Sequence, residues 1–240
     1  MIIEICANSF ESAINAQQAG ADRIELCVEL GIGGITPSFG MVEQVLANVT
    51  IPVFVLIRPR SGHFCYTNSE LTIMQSNIKK YKSMGCHGFV SGALNHDHTV
   101  NISAVNHLID ACGSLPFTFH RAFDWTPDPF KALDSLISLG VKRVLTSGQV
   151  DSSYGGLDSL IKFKSYSGNR LIIMPGGGVT TENILKFKTN KFTEIHASAS
   201  SVRELSITPK VGMNNIKSIG DNISVVSKIE SIKSLIKNIK

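Results

Sequence analysis

Gln17-Gln18-Ala19-Gly20-Ala21-Asp22-Arg23-Ile24-Glu25-Leu26-Cys27 decides the fold. A helix-like stretch runs up to Gly20, and a short strand-like run, Arg23–Cys27, follows almost at once. Glycine, and less often asparagine, ends helices because it tolerates the left-handed conformation at the C-cap. The same junction recurs at Asn48, Gly85, Gly113, Gly140, Gly168 and Asn190, in steps, by subtraction from Gly20 onward, of 28, 37, 28, 27, 28 and 22 residues. With the opening run Ile2–Cys6 and Arg23–Cys27, the strands are Val53–Ile57, Gly88–Ser91, Phe117–His120, Arg143–Thr146, Leu171–Met174 and Glu194–Ala197. Strands alternating with helices pair in parallel, and eight such units in 240 residues predict an α/β fold, a single (β/α)8 barrel over residues 1–240 rather than two domains.

Composition fits that reading. With 43% hydrophobic and 18% charged residues the chain can bury a full core, which excludes a disordered polypeptide. The net charge of +4 is diffuse. In the tail, Lys210, Lys217, Lys228, Lys233, Lys237 and Lys240 stand against Asp221 and Glu230. They read as a solvated face rather than a nucleic-acid footprint, which needs clustered cations and stacking aromatics. The start, Met-Ile-Ile-Glu-Ile-Cys, has no basic stretch and carries Glu4 in its apolar run, so no signal peptide is expected. The apolar run Ile51–Ile57 is too short to span a bilayer, and no membrane partner is expected. Five cysteines without a C-x-x-C pair predict a reduced, cytoplasmic chain.

The first helix is expected to start at a capping box, Asn8 with Glu11 three residues on. Residues Ser198–Asn222 read as an irregular Ser/Asn/Gly-rich segment. The apolar stripe Ile223, Val226, Ile229, Ile232, Leu235 and Ile239 then predicts an amphipathic closing helix.

In such a barrel, function sits at the carboxyl ends of the strands. Alternation sorts the strand residues by face. If Ile3, Ile5, Ile24, Leu26, Phe117, Phe119, Ile195 and Ala197 point to the helices, the other parity points inward. That inward set contains Glu4, Cys6, Arg23, Glu25, Cys27, Thr118, His120, Glu194, His196 and Ser198. Arg23 and Glu194, near the strand starts, read as a structural ion pair, because buried charge must be paired. Glu4, Glu25, His120 and His196, with Arg58 after strand three, are the candidate catalytic residues. Converging carboxylates and imidazoles can act as acid and base, with Arg58 as electrophilic stabiliser; two histidines and two glutamates can equally hold a divalent metal. Gly176-Gly177-Gly178 after strand seven, with Ser198 after strand eight, predicts an anion-binding site, where such barrels commonly cradle a phosphate on backbone amides. Nothing indicates a nucleotide cofactor. The site class this suggests is a lyase or isomerase acting on an anionic or phosphorylated small molecule.

The runs Glu25-Leu26-Cys27, Gly33-Gly34-Ile35-Thr36-Pro37-Ser38, Ile57-Arg58-Pro59-Arg60, Phe119-His120-Arg121-Ala122-Phe123-Asp124, Val144-Leu145-Thr146-Ser147-Gly148 and Ile195-His196-Ala197-Ser198-Ala199 resemble the CutC family of copper homeostasis proteins. The resemblance runs from Met1 to about Ser201 and leaves 202–240 as a divergent tail. It implies a TIM-like barrel and a cytoplasmic homo-oligomer, dimer or tetramer, linked to Cu(I). The family's proposed copper ligands fall on Cys6 and Cys27. Soft thiolates select Cu(I), and two on adjacent strands suit near-linear coordination. His63 and Trp125 depart from the family pattern.

Overall fold

The computed structural model of the chain describes residues 1–204, 206–207, 210–212 and 221–239. Eight short apolar runs build the strands β1 (Ile2–Ala7), β2 (Arg23–Leu26), β3 (Val53–Leu56), β4 (Gly88–Ser91), β5 (Phe117–Phe119), β6 (Arg143–Thr146), β7 (Ile172–Pro175) and β8 (Glu194–Ala197). Neighbours follow chain order from β7 back to β1, and β8 returns to the far side of β1. Every ladder among them is parallel. β7 and β8 pack side by side across the remaining seam, so the barrel is nearly closed. Seven helices connect the strands: α1 (Phe10–Ala19), α2 (Phe39–Asn48), α3 (Asn68–Ser83), α4 (Ile102–Cys112), α5 (Pro129–Ser138), α6 (Leu157–Ser167) and α7 (Ile184–Thr189), with α8 (Ile229–Ile239) closing the chain. The (β/α)8 barrel read from the sequence is the fold.

Helix ends show how local chemistry sets these connections. α1 stops at Gly20, whose φ of 89° is the left-handed cap that glycine adopts without strain. Its start differs from the capping box expected at Asn8. Ser9 is the cap, its hydroxyl accepting from the Ser12 N–H at 3.0 Å. Both residue types cap helices, and here Asn8 is spent elsewhere: its side-chain amide donates to the Val225 carbonyl at 2.9 Å. α3 begins at a reciprocal box between Thr67 and Glu70, and α5 at Asp128 followed by Pro129.

Alternation divides the interior in two. Ile3, Ile5, Ile24, Leu26, Phe117, Phe119, Ile195 and Ala197 all lie in the large core between strands and helices, as their parity predicts. Each large apolar side chain buried there stabilises by roughly 1.5–3 kcal/mol. Cys6, Cys27, Phe54, Leu56 and Val90 form a separate small cluster inside the barrel. Gly88 faces that interior because any Cβ would strike the Phe54 ring.

The tail departs from its expected form. Residues Ser200–Glu204 form β9, which pairs antiparallel with β10 (Ile223–Ser227). The segment expected to be irregular therefore opens with a strand, while its residues 205, 208–209 and 213–220 lie outside the described residues. The closing helix starts at Ile229, not at Ile223. Ile223 and Val226 belong to β10 instead, because a spacing of three apolar residues cannot by itself separate a twisted strand end from a helix start. Ser227 ties this hairpin to the barrel, its N–H donating to Ser12 Oγ at 3.0 Å and its hydroxyl to the Cys6 carbonyl at 3.3 Å. Among the described residues no helix is long and apolar enough to cross a membrane.

Candidate functional site

The lower layer of the barrel interior is an ion network. Arg23 at the start of β2 donates through Nε to Glu4 on β1 at 2.5 Å, and through Nη2 to Glu194 on β8. Arg143 at the start of β6 donates to the same Glu194 through Nε at 3.1 Å and to Thr118 at 3.3 Å. Both guanidinium groups stack on the Phe54 ring, at 4.7 and 5.2 Å from its centroid. Arg23 and Glu194 are thus joined as their position suggested, but the network also takes in Glu4 and Arg143. Arg143 opens its strand on the inward face just as Arg23 does, and that equivalence was the sequence signal for it.

Glu4 bridges this layer to the next. Burial alone would raise its carboxyl, but Arg23 and His196 override that and hold it down at about 2. Glu4 Oε1 meets His196 Nδ1 at 2.8 Å, and on the other side of the ring Nε2 lies 3.5 Å from Glu25. Burial disfavours the His196 imidazolium, yet bonds to Cys6 and Glu4 and the charge of Glu25 raise its pKa well above the ordinary value. Glu25, by contrast, is pushed up to about 7 by burial, against the pull of His196. The register places Cys6 beside Glu25, and Cys6 Sγ and Cys27 Sγ stand 3.6 Å apart as free thiols. The bond to Cys27, followed by burial, raises the Cys6 thiol well above its usual range. Donor atoms of Cys6, Glu25 and His196 all lie within 4.8 Å of one another.

Arg58 and His120 stand at another part of the wall. Arg58 is 6% exposed and has no carboxylate partner among the described residues. Its Nη1 donates to the carbonyls of Ile32 and Gly34, both at 2.8 Å, and its Nη2 to that of Gly62 at 3.0 Å. Nε is buried without a partner, and so is Nε2 of His120. Phe64 packs between them, 4.8 Å from the His120 ring and 5.2 Å from the Arg58 guanidinium. Burial, with the Arg58 charge beside it, drives His120 down to about 3. His120 Nδ1 accepts the Ala122 N–H at 3.2 Å, so the neutral ring carries its proton on Nε2. His120 is therefore a donor in this wall and not a base.

The glycine loop after β7 is placed differently from its expected partner. The Gly176 N–H is taken by the Thr146 carbonyl at 3.0 Å, while the Gly177 and Gly178 amides have no acceptor among the described residues. The cation over this loop is Arg121: a Cβ on Gly177 would come within 3.1 Å of Arg121 Nη1. Arg121 is steered there by Asp124 at 2.8 Å and Ser147 at 2.8 Å. Ser198 accepts from the Ser200 hydroxyl at 3.2 Å on the neighbouring rim.

These groups share one cavity of about 930 Å³, whose lining includes Cys6, Glu25, Cys27, Arg58, His120 and His196. Gly177, Gly178 and Ser198 lie on its rim with Arg121, whereas Glu4 stands behind His196 and Gly176 behind the loop. Sequence reasoning missed Arg121 as a site residue, and the wall that α8 supplies through Ser231, Ser234 and Leu235. Arg121 follows His120 directly, which was the available signal.

Comparison with known proteins agrees with this architecture. The sequence profile described as the CutC family matches residues 1–204. A human protein named copper homeostasis protein cutC homolog is 40% identical, over 99% of this chain and 90% of its own length. A family protein CutC from Photorhabdus laumondii is 43% identical over 86% of this chain and 83% of its own. The crystal structure of a copper homeostasis protein CutC from Streptococcus agalactiae superposes with a TM-score of 0.77 at 33% identity, covering 82% of this chain and 97% of that one. Phosphoribosyl anthranilate isomerase from Thermus thermophilus, at a TM-score of 0.56 and 12% identity, shares the barrel fold alone. Inward charge at matched strand ends, the barrel, and a profile spanning all eight strands lead to one assignment: this chain belongs to the CutC family.

Proposed function

We propose that the protein serves copper homeostasis by holding Cu(I) as cargo on Cys6, Cys27 and His196. The observation that carries this reading is the thiol pair, 3.6 Å apart, beside a buried imidazole. Sulfur selects Cu(I) over hard cations, and imidazole suits copper better than carboxylate does. Near-linear coordination by the two cysteines alone does not fit. Taking a metal–thiolate bond as about 2.3 Å, a linear ion would need sulfurs roughly 4.6 Å apart. The observed spacing suits a bent pair completed by a third donor. The His196 ring lies within 4.8 Å of Cys6 Sγ, whereas Cys27 is not in that group, so His196 Nε2 would reach the ion from the Cys6 side. Glu4, fixed by Arg23, bonds the other ring nitrogen, as an outer carboxylate does in other histidine metal sites.

A competition titration of Cu(I) against a colorimetric chelator tests this. Cys6→Ser with Cys27→Ser should weaken binding at least ~100-fold, and His196→Gln by ~10-fold, in line with the loss of first and supporting ligands. Equal affinity in wild type and the double serine variant would remove the cysteines from copper handling.

A cavity of about 930 Å³ is far larger than a metal ion fills and lies in the range that small organic ligands occupy. That observation favours a second reading, a small-molecule enzyme acting on an anionic substrate at the same mouth. Incubation with candidate acids, followed by NMR for turnover, tests it.

A further inference from the structure

We infer that the mouth of the barrel binds a small organic oxyanion at a site separate from the thiol pair, received by Arg58 and His120 in the wall and by Arg121 with the Gly177 and Gly178 amides at the rim. This inference names the ligand class for the second reading above, and binding without turnover would leave it standing.

Arg58 carries the argument. A buried cation is costly unless a counter-charge meets it, and no carboxylate approaches this one among the described residues. Three carbonyls, of Ile32, Gly34 and Gly62, hold the Nη groups and so fix the plane of the guanidinium. The Nε atom has no hydrogen-bond partner among the described residues, and the neighbouring Tyr66 hydroxyl, itself unpartnered, brings no full counter-charge to the guanidinium. Beside it, across Phe64, His120 presents a second buried N–H with no acceptor, since its other nitrogen is taken by the Ala122 amide. Two N–H donors in one wall call for oxygen, and they repel a metal ion. The ligand that satisfies both is an acidic oxygen group, held by charge-assisted bonds; both atoms are covered in the unliganded wall, so a small side-chain shift uncovers them to the ligand.

The rim repeats this chemistry. Gly177 has a φ of 94° and Gly178 one of 72°, so both sit in the left-handed region that glycine enters freely. Their amides have no protein acceptor among the described residues, and Arg121 Nη1 hangs over Gly177. Successive free amides next to a guanidinium make an anion cradle. The loop after strand seven is also where barrels of this type commonly seat a phosphate. Between wall and rim, Phe64 and Trp125 stack edge to face at 4.9 Å and line the cavity as an apolar side. Donors at two places with apolar surface between fit a compact organic acid better than a bare inorganic ion.

Phosphoglycolate, with a carboxylate and a phosphate on one carbon, is the probe. Calorimetry would titrate it, inorganic phosphate and glycolate separately into the metal-free protein. Phosphoglycolate should bind more tightly than either fragment. His120→Phe keeps a ring against Phe64 while deleting the donor, and Arg121→Gln changes a half-exposed rim residue. Each should weaken the probe at least ~10-fold, the scale of one charge-assisted hydrogen bond. Cys6→Ser with Cys27→Ser should leave it within about twofold, which separates this site from the copper reading. Absence of binding at roughly 10 mM probe, an affinity weaker than about −3 kcal/mol, would overturn the inference. Unchanged affinity in both His120→Phe and Arg121→Gln would overturn it equally.

Discussion

In the lower layer of the barrel, Arg23, Arg143, Glu4 and Glu194 meet carboxylate to guanidinium, and every one of them has an ionic partner. One layer up, on the same inward parity, the thiols of Cys6 and Cys27 meet each other and Cys6 also meets His196, while Arg58 Nε and His120 Nε2 have no hydrogen-bond partner among the described residues. The two layers share strands, burial and residue types, so the difference lies in what each must hold. Paired charges fill the closed end, where barrel interiors normally carry branched apolar side chains. Unpaired donors stand at the open end, where a ligand can complete them. A buried polar group left unpaired costs roughly 1–3 kcal/mol, and such cost collects where binding recovers it. Substitutions in the two layers should therefore behave differently.

The largest effect belongs to Glu194→Ala. Glu194 accepts from both Arg23 and Arg143, and its loss leaves Arg143 with Thr118 as its remaining side-chain acceptor. Removing one member of a buried ionic group costs about 3–5 kcal/mol. Urea denaturation followed by circular dichroism should show that loss, and a change below about 1 kcal/mol would mean the lower layer is not held by its charges.

A second comparison concerns acid. His120 is held at about 3 in the folded chain, against about 6.5 in an unfolded one. A depressed histidine pKa means the unfolded state binds more protons between those values, so stability falls as pH drops through that window. The Arg58 guanidinium faces the ring, and Phe64, Phe119 and Gly92 pack around it, so no acidic group opposes the effect. Between pH 7.5 and pH 5 wild type should lose about 2 kcal/mol from this group, given ~1.36 kcal/mol per pKa unit. His120→Gln should not show that part of the loss. Denaturant midpoints at both pH values check it, and identical pH dependence in the variant would place the acid sensitivity elsewhere.

The sequence carried the barrel because its two periodicities are local: helix-ending Gly or Asn fixes each junction, and alternation fixes each face. The same alternation brought Cys6, Glu25, His120 and His196 to one cavity. It could not separate Glu4 from them, since Glu4 shares their parity and differs only in depth, where Arg23 and His196 enclose it. Arg58 lies in a loop and Arg121 opens a short 3-10 turn, Arg121–Trp125, and the course of both depends on tertiary contacts rather than on period. That is why the place of Arg121 over the glycine turn could not be read from the sequence. The β9–β10 hairpin was hidden for a related reason. Most of β9 is exposed, so it shows no buried face for a pattern to reveal.

The smallest effect should come from Arg121→Gln, and it completes the comparison. Arg121 pairs with Asp124 at 2.8 Å, but its side chain is 44% exposed, and exposed pairs contribute about 0–1 kcal/mol. Its removal does not strand the carboxylate, because Asp124 still accepts from Thr146 Oγ1, the Ser147 N–H and hydroxyl, and the Gln149 N–H. Glu194→Ala leaves a buried cation short of a partner, whereas Arg121→Gln leaves a satisfied anion at the rim. Denaturation should place Arg121→Gln within about 1 kcal/mol of wild type. The rim arginine then matters to what enters the mouth and hardly to the fold. If this substitution costs as much as Glu194→Ala, the upper layer is structural in the same sense as the lower one, and the contrast between the two layers fails.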